Sequence, residues 1–118
     1  MNIKSQSLII ATKDNDEAMS KFYTEVLGAT KNEMGGHSLG GFDIYFDRHS
    51  QAAGQALEPF RIMPTFGVDD IQKTCEELKG KGVEFIKEPA PEEWGGWFAT
   101  FKDPDGNYLQ IFEMKEAH

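Results

Sequence analysis

The sequence predicts an α+β protein made of two βαβββ modules, because its two halves repeat one plan. Each half opens with a short strand, continues into a helix that ends at glycine, and closes with extended segments. The terminating glycine follows the capping aspartate by 14 positions in the first half (14 to 28) and by 13 in the second (69 to 82). Such a repeat is typical of two units that each form one supersecondary motif.

The first module begins with the predicted strand Ser7–Thr12. A helix follows from Asp14 to about Leu27, with Asp14 as its N-cap and Glu17 at the capping-box spacing. Three short extended segments then fit residues 29 to 48. The first module is therefore predicted to be one helix and four strands.

The second module repeats this order. Its first strand is predicted over residues 61–68, where Pro64 indicates an edge position or a bulge because proline has no N–H to donate. Asp69 or Asp70 caps the second helix, and the next strand begins near Val83.

The last two strands form the clearest predicted hairpin. Residues 97–101 and 108–113 flank the turn sequence Asp103–Asn107, which is rich in residues that favour turns. Alternation sets Gln110 on the face opposite to Leu109. A polar amide in the middle of such a strand needs a partner, a ligand or solvent.

Composition excludes several classes of protein. A formal net charge of −8 argues against nucleic acid or an anionic membrane as the partner. No apolar run reaches the roughly 20 residues of a membrane span, and the N-terminus has no signal-peptide pattern. One cysteine, Cys75, fits a reducing cytoplasm, and its place on an apolar helix row indicates a buried, inert thiol.

These boundaries describe one domain. We expect a single domain over residues 1–118, divided into module one (about 5–48), a linker (49–60) and module two (about 61–114).

Three segments carry a family resemblance: Ala18–Gly28, Phe66–Asp70 and Phe101–Asn107. Their motifs and order resemble the vicinal oxygen chelate superfamily, which includes glyoxalase I, bleomycin-resistance proteins and extradiol dioxygenases. The resemblance implies an open, cup-like mixed barrel with the ligand or metal on its concave face. It also implies a homodimer.

The metal-using members of this superfamily bind their metal through side chains at a few strand positions, and the resemblance implies four corresponding positions in this chain. They fall on Ser7, on Asp43 or Tyr45, on Met63 and on Gln110. A thioether and a hydroxyl are poor ligands for divalent cations, which prefer carboxylate oxygen or imidazole nitrogen. We therefore expect no metal and no other cofactor, with a divalent metal as the less favoured alternative.

The cup is instead expected to bind a small molecule. Its apolar lining would be aromatic residues and one methionine, and a few polar side chains would orient the ligand. The predicted ligand-binding residues are Ser7, Asp43, Tyr45, Met63, Trp94, Phe98, Thr100, Tyr108 and Gln110. Phe112 would add to the apolar lining. The alternative is that Trp94 and Trp97 both pack in the interface between the modules.

Other polar residues are predicted to be incidental. His37 lies between glycine pairs and is expected on an exposed turn, with a proton-shuttle role as the alternative. Asp47 and Glu113 are expected at solvated strand ends.

Three functions remain open. The first is a metal-independent small-molecule binding protein, whose acidity would favour a cationic ligand. The second is a metal-dependent lyase, isomerase or dioxygenase of the same superfamily, so enzymatic activity is left open. The third is a dimerisation or partner-binding module with a filled cavity.

Overall fold

The computed structural model describes residues 1–114 in two compact units, one from Met1 to Gln55 and the other from Ala56 onward. Each unit has the order βαβββ, as predicted. The first contains β1 (Ser7–Thr12), α1 (Asp16–Lys21), a π-helical segment (Phe22–Val26), β2 (Thr30–Lys31), β3 (His37–Leu39) and β4 (Phe42–Arg48). The second contains β5 (Thr65–Gly67), α2 (Ile71–Gly80), β6 (Phe85–Pro91), β7 (Gly96–Lys102) and β8 (Tyr108–Met114). The last four residues of the predicted domain lie outside the described part.

The two sheets share one topology. Their strand orders are β1-β4-β3-β2 and β5-β8-β7-β6. In each sheet the first strand pairs in parallel with the last, and the other pairs are antiparallel. The duplication predicted from the sequence is therefore present in the strand pairing. Within residues 1–114, no helix is long and apolar enough to cross a membrane.

The predicted N-cap of the first helix is wrong. Asn15 occupies the cap position and makes no side-chain cap bond, and α1 begins at Asp16. The hydroxyl of Thr12 accepts a hydrogen bond from the backbone N–H of Asn15 at 3.1 Å. Thr12, the last residue of β1, thus makes a local side-chain bond to the cap position in place of Asp14.

The core of the first unit lies between the helix and β4. Met19, Tyr23 and Ile44 are fully buried. The rings of Tyr23 and Phe46 pack with their centroids 4.8 Å apart. Gly28 has φ of 84° and follows the helix, as predicted, because this conformation suits glycine.

Helix α2 is held at its N-terminus by two carboxylates. Asp70 is the N-cap and accepts a hydrogen bond from the backbone N–H of Lys73 at 3.1 Å, which confirms one of the two predicted caps. Glu113 on β8 accepts from the backbone N–H of Ile71 at 2.9 Å. The prediction that Glu113 is a solvated strand end is therefore wrong.

The predicted strand over residues 61–68 is too long. Only Thr65–Gly67 pair as β5. Pro64 has no N–H, but its carbonyl accepts a hydrogen bond from the backbone N–H of Gln110 at 2.9 Å. Proline therefore ends the ladder on its N-terminal side.

Candidate functional site

The second sheet has a buried face and a mixed aromatic and polar face. Its buried side chains alternate along the last two strands, as the sequence predicted. They are Ala99, Phe101, Leu109 and Ile111. The intervening residues therefore project from the other face. The cross-strand register then arranges that face in rows.

One row is aromatic. Phe98 pairs with Phe112, and their ring centroids lie 5.7 Å apart in an edge-to-face arrangement. The indole of Trp94 packs against Phe98 at 5.2 Å and remains 50% exposed. Trp94 thus extends the aromatic row, while half of its surface stays open to contact.

Two glycines make room for these rings. A Cβ added at Gly96 would lie 1.9 Å from Cζ3 of Trp94, and one added at Gly67 would lie 3.2 Å from Cζ of Phe112. The rings of Trp94 and Phe112 therefore pack directly on the backbone at Gly96 and Gly67, where the side chain of any other residue would crowd them.

The adjacent row is polar. The register aligns Thr65 with Gln110, Gln110 with Thr100, and Thr100 with Lys87. The Thr65 hydroxyl donates to the carbonyl oxygen of Met63 at 3.0 Å and lies 3.4 Å from the side-chain oxygen of Gln110, while the Gln110 amide donates to the Thr100 hydroxyl at 3.4 Å. Both contacts of Gln110 are longer than usual hydrogen bonds, and an amide has two acceptor sites and two donors. Gln110 therefore keeps capacity to bond a ligand.

Two surface ion pairs flank this face. Lys87 pairs with Glu92 at 2.8 Å, and Lys102 pairs with Glu84 at 3.2 Å. Tyr108 lies beside Lys102 in the register. The lysine charges next to the face are thus partly neutralised.

The first sheet has an equivalent polar row on its less buried face. Ser7 aligns with Asp43, and Asp43 with Ser38. The Ser38 hydroxyl donates a hydrogen bond to Asp43. Tyr45 lies across Gly36, since a Cβ there would be 2.8 Å from Cζ of the tyrosine. Asp43 and Tyr45 thus occupy the places that Gln110 and Phe112 hold in the second sheet.

The predicted site residues therefore divide between two faces. Ser7, Asp43 and Tyr45 share a face of the first sheet. Trp94, Phe98, Thr100, Tyr108 and Gln110 lie on the mixed face of the second.

Met63 lies outside the paired strands, two residues before β5, because the predicted strand that contained it begins too early. Its role in ligand binding stays a prediction. Thr65 takes the place equivalent to Ser7, since each pairs with the central polar residue of its sheet. Strand pairing reveals this equivalence, and counting along the chain does not.

His37 is buried, so the predicted exposed turn is also wrong. The residue opens β3 and is 4% exposed. Its Nε2 lies 2.7 Å from the hydroxyl of Ser20, and its Nδ1 lies 3.3 Å from the carbonyl oxygen of Ile44. Burial lowers the pKa of His37, with a smaller contribution from the positive charge of Lys31. No local pattern indicated this pair, because the serine precedes the histidine by 17 residues.

The donor atoms of both rows are a poor match for a divalent metal. Across residues 1–114, His, Cys, Asp and Glu side chains form no group of three that could hold a metal ion. The first row offers one carboxylate among hydroxyls, and the second offers one amide among hydroxyls. Such sets do not match the ligands of zinc or related metals. The described residues thus do not fit the metal that the family resemblance would imply.

Comparison with known proteins identifies the class. Residues 6–111 match the model of the Glyoxalase/Bleomycin resistance protein/Dioxygenase superfamily, and the chain belongs to this superfamily. The family and the fold class predicted from the sequence are both confirmed.

Three similar proteins illustrate the range of relatives. Uncharacterized protein YetH of Bacillus subtilis is 30% identical over 123 residues, covering 97% of this chain and 99% of the relative. A probable lactoylglutathione lyase of Vibrio parahaemolyticus is 38% identical over 116 residues, covering 82% and 81%. The crystal structure of a glyoxalase/bleomycin resistance protein/dioxygenase family enzyme from Burkholderia phytofirmans superposes with a TM-score of 0.75 at 25% identity, covering 92% of this chain and 98% of that one.

Proposed function

We propose that this protein is a small-molecule binding protein of the glyoxalase/bleomycin-resistance type, and that it works without a metal. The ligand binds to the mixed face of the second sheet. The observation that carries the proposal is the register, which sets Phe98 and Phe112 beside Thr100 and Gln110. An apolar wall next to a few polar groups is the usual composition of a small-molecule site.

The chemistry of the face favours a planar aromatic ligand. Trp94, Phe98 and Phe112 offer ring faces and edges, and the Gln110 amide offers both a donor and an acceptor. A formal net charge of −8 would attract a cationic ligand at long range. We therefore expect a flat aromatic cation to bind better than an anion of similar size.

Tryptophan fluorescence tests this proposal with two dyes. Proflavine is a flat aromatic cation, and 8-anilinonaphthalene-1-sulfonate is an aromatic anion. We expect saturable quenching by proflavine, with weaker binding of the anion. Phe98→Ala and Gln110→Ala should each weaken proflavine binding about tenfold, which corresponds to the loss of about 1.4 kcal/mol.

The matched control is Phe42→Ala, because Phe42 is an exposed aromatic residue on the first sheet. This variant should bind proflavine like the wild type. Equal affinity of all three variants would contradict the proposed face. No saturable binding of either dye would contradict the small-molecule function and favour a partner-binding module.

The metal question has a separate test. Protein purified without chelator should contain less than stoichiometric zinc, manganese, nickel or iron by elemental analysis. EDTA should leave the proflavine affinity unchanged. One equivalent of bound metal that disappears in Gln110→Ala would contradict metal independence.

A second candidate function is a metal-dependent lyase. Its support is the 38% identity to the probable lactoylglutathione lyase of Vibrio parahaemolyticus. The donor sets of the two rows count against it. Activity on the hemithioacetal of glutathione and methylglyoxal, restored by adding zinc or nickel to chelated protein, would favour the lyase.

We also propose a cytoplasmic homodimer. The buried Cys75 is the single cysteine of the chain, which suits a reducing compartment. Sedimentation of the purified chain at twice the monomer mass would support the dimer, and sedimentation at the monomer mass would exclude it.

A further inference from the structure

The pair formed by Ser20 and His37 has the geometry of an activated nucleophile. We propose that Ser20 is a nucleophile for acyl transfer, that His37 is its general base, and that the substrate class is small activated carboxylic esters. This site lies in the first unit and is independent of the function proposed above.

The hydrogen bonds of His37 fix the position of its proton. The carbonyl oxygen of Ile44 can only accept, so Nδ1 carries the hydrogen in this 3.3 Å contact. Nε2 then presents its lone pair to the Ser20 hydroxyl at 2.7 Å. A nucleophile within hydrogen-bond reach of a base, with the base oriented by a third group, is the arrangement that activates serine.

The histidine ring is held in place by packing. It is 4% exposed, and its centroid lies 4.7 Å from that of Phe46. The same burial lowers its pKa, which keeps the imidazole neutral and able to accept a proton at neutral pH.

Ser20 also lines an open cavity of about 480 Å³, which lies within the volume range of small-molecule sites. The other lining residues are charged or hydroxyl-bearing. They are Asp16, Glu17, Lys21, Thr24, Glu25 and Lys31. A small ester therefore has room beside the Ser20 hydroxyl.

Lys31 supplies positive charge at this site. It lines the cavity with Ser20, and its charge acts on His37. Within residues 1–114 it takes part in none of the ion pairs. An ammonium that lines the same cavity as the nucleophile can stabilise negative charge that develops on an ester oxygen.

The helix is irregular at this point. The π-helical segment begins at Phe22, two residues after Ser20, and the Thr24 hydroxyl donates to the Ser20 carbonyl at 2.8 Å. Single π-helical turns are rare and occur frequently at functional sites.

The reaction uses only the ester and water. Ser20 Oγ attacks the carbonyl carbon while its proton passes to Nε2 of His37. The bond between the carbonyl carbon and the leaving oxygen breaks, and that oxygen takes the proton from Nε2. Water then attacks the acyl-serine by the same route, which releases the acid and restores the Ser20 hydroxyl.

The test uses p-nitrophenyl acetate and the full chain. We expect release of p-nitrophenolate together with one acetyl group that peptide mass mapping places on Ser20. Ser20→Ala should lower the release rate at least about tenfold, given the usual contribution of general-base catalysis. Lys31→Ala should lower it by a smaller factor. Ser50→Ala is the control, since Ser50 is an exposed serine of the first unit outside both polar rows, and it should react like the wild type.

His37 variants risk unfolding the first unit, so a pH profile of the wild type provides the second measurement. The acetylation rate of Ser20 should fall as the pH drops through the lowered pKa of His37. Lys31 is the charged neighbour that contributes to that pKa. Acetylation confined to lysines, or a release rate unchanged by Ser20→Ala, would overturn the proposal. Acetylation of Ser20 without this pH dependence would overturn the role of His37.

Discussion

The carboxylate of Glu113 accepts a hydrogen bond from the backbone N–H of Ile71 at 2.9 Å, so the last strand caps the second helix. The first N–H groups of a helix have no partner inside it, and a carboxylate at this end also interacts well with the helix dipole. This single contact joins α2 to β8 through two residues that are 42 positions apart in sequence.

Removing this cap should destabilise the protein. Glu113→Ala is expected to lower the free energy of unfolding by about 1 kcal/mol, the usual cost of losing a capping acceptor. Glu113→Gln retains an acceptor oxygen, so its free energy of unfolding should fall by less. Urea denaturation measures both. Glu93→Ala changes an exposed loop glutamate and serves as the control. Equal denaturation midpoints for Glu113→Ala and Glu93→Ala would contradict the role of the cap.

Filling the space under Trp94 should displace its ring. Gly96→Ala places a Cβ 1.9 Å from the indole, and the half-exposed ring is free to move while the strand stays paired. We expect a changed tryptophan emission spectrum and proflavine binding weakened about three- to tenfold, because one aromatic contact is lost. Gly54→Ala is the control, since nothing lies within 4 Å of its added Cβ. An unchanged spectrum in Gly96→Ala would show that Trp94 packs elsewhere in solution.

Acid should destabilise the protein through His37. Burial lowers its pKa below the ordinary 6.5, so the unfolded chain binds a proton more readily than the folded chain. The contribution of His37 to stability is therefore complete above about pH 6.5 and falls as the pH drops toward its folded pKa. Denaturation at a series of pH values should show this loss. This loss of stability at acid pH should persist in His49→Gln, which changes an exposed histidine, and should be smaller in His37→Gln. If stability falls equally steeply with pH in both variants, the assignment to His37 is contradicted.

The single thiol should react slowly in the folded protein. Burial, with a smaller effect of Glu88, raises the pKa of Cys75 from 9.0 to about 11. The thiolate is the reactive species, so at pH 8 little of it is present and the buried sulfur is also shielded. Ellman's reagent should modify the native protein far more slowly than protein in guanidinium chloride. Equal rates would show that the helix carrying Cys75 opens readily.

Much of the fold was predictable because its signals are local. Alternation along the last two strands and the turn residues between them identified the final hairpin. The apolar row that includes Cys75 indicated the buried face of α2, where Ile71 and Leu78 are buried as well. These patterns depend on neighbours within one element, so the sequence carries them directly.

The site was predictable only in part, because its contacts are not local. Alternation correctly grouped Phe98 and Thr100, which share one strand. The strand predicted around Met63 was too long because Pro64 ends the pairing at Thr65, and only the pairing with Gln110 reveals this. His37 was misplaced because its glycine neighbours suggest a turn, whereas its partners Ser20 and Ile44 lie on other elements.

The π-helical segment explains how the two repeats differ in helix length and still form sheets of the same strand order. The first helical stretch, from Asn15 to Gly28, is one residue longer than the second, from Asp70 to Gly82. A π-helical turn widens the helix to hold an additional residue. The segment therefore has the form of a single-residue insertion, absorbed within the helix so that the strands on either side kept their register. Deleting one residue between Phe22 and Val26 should restore an ordinary α-helix and return the first repeat to the length of the second.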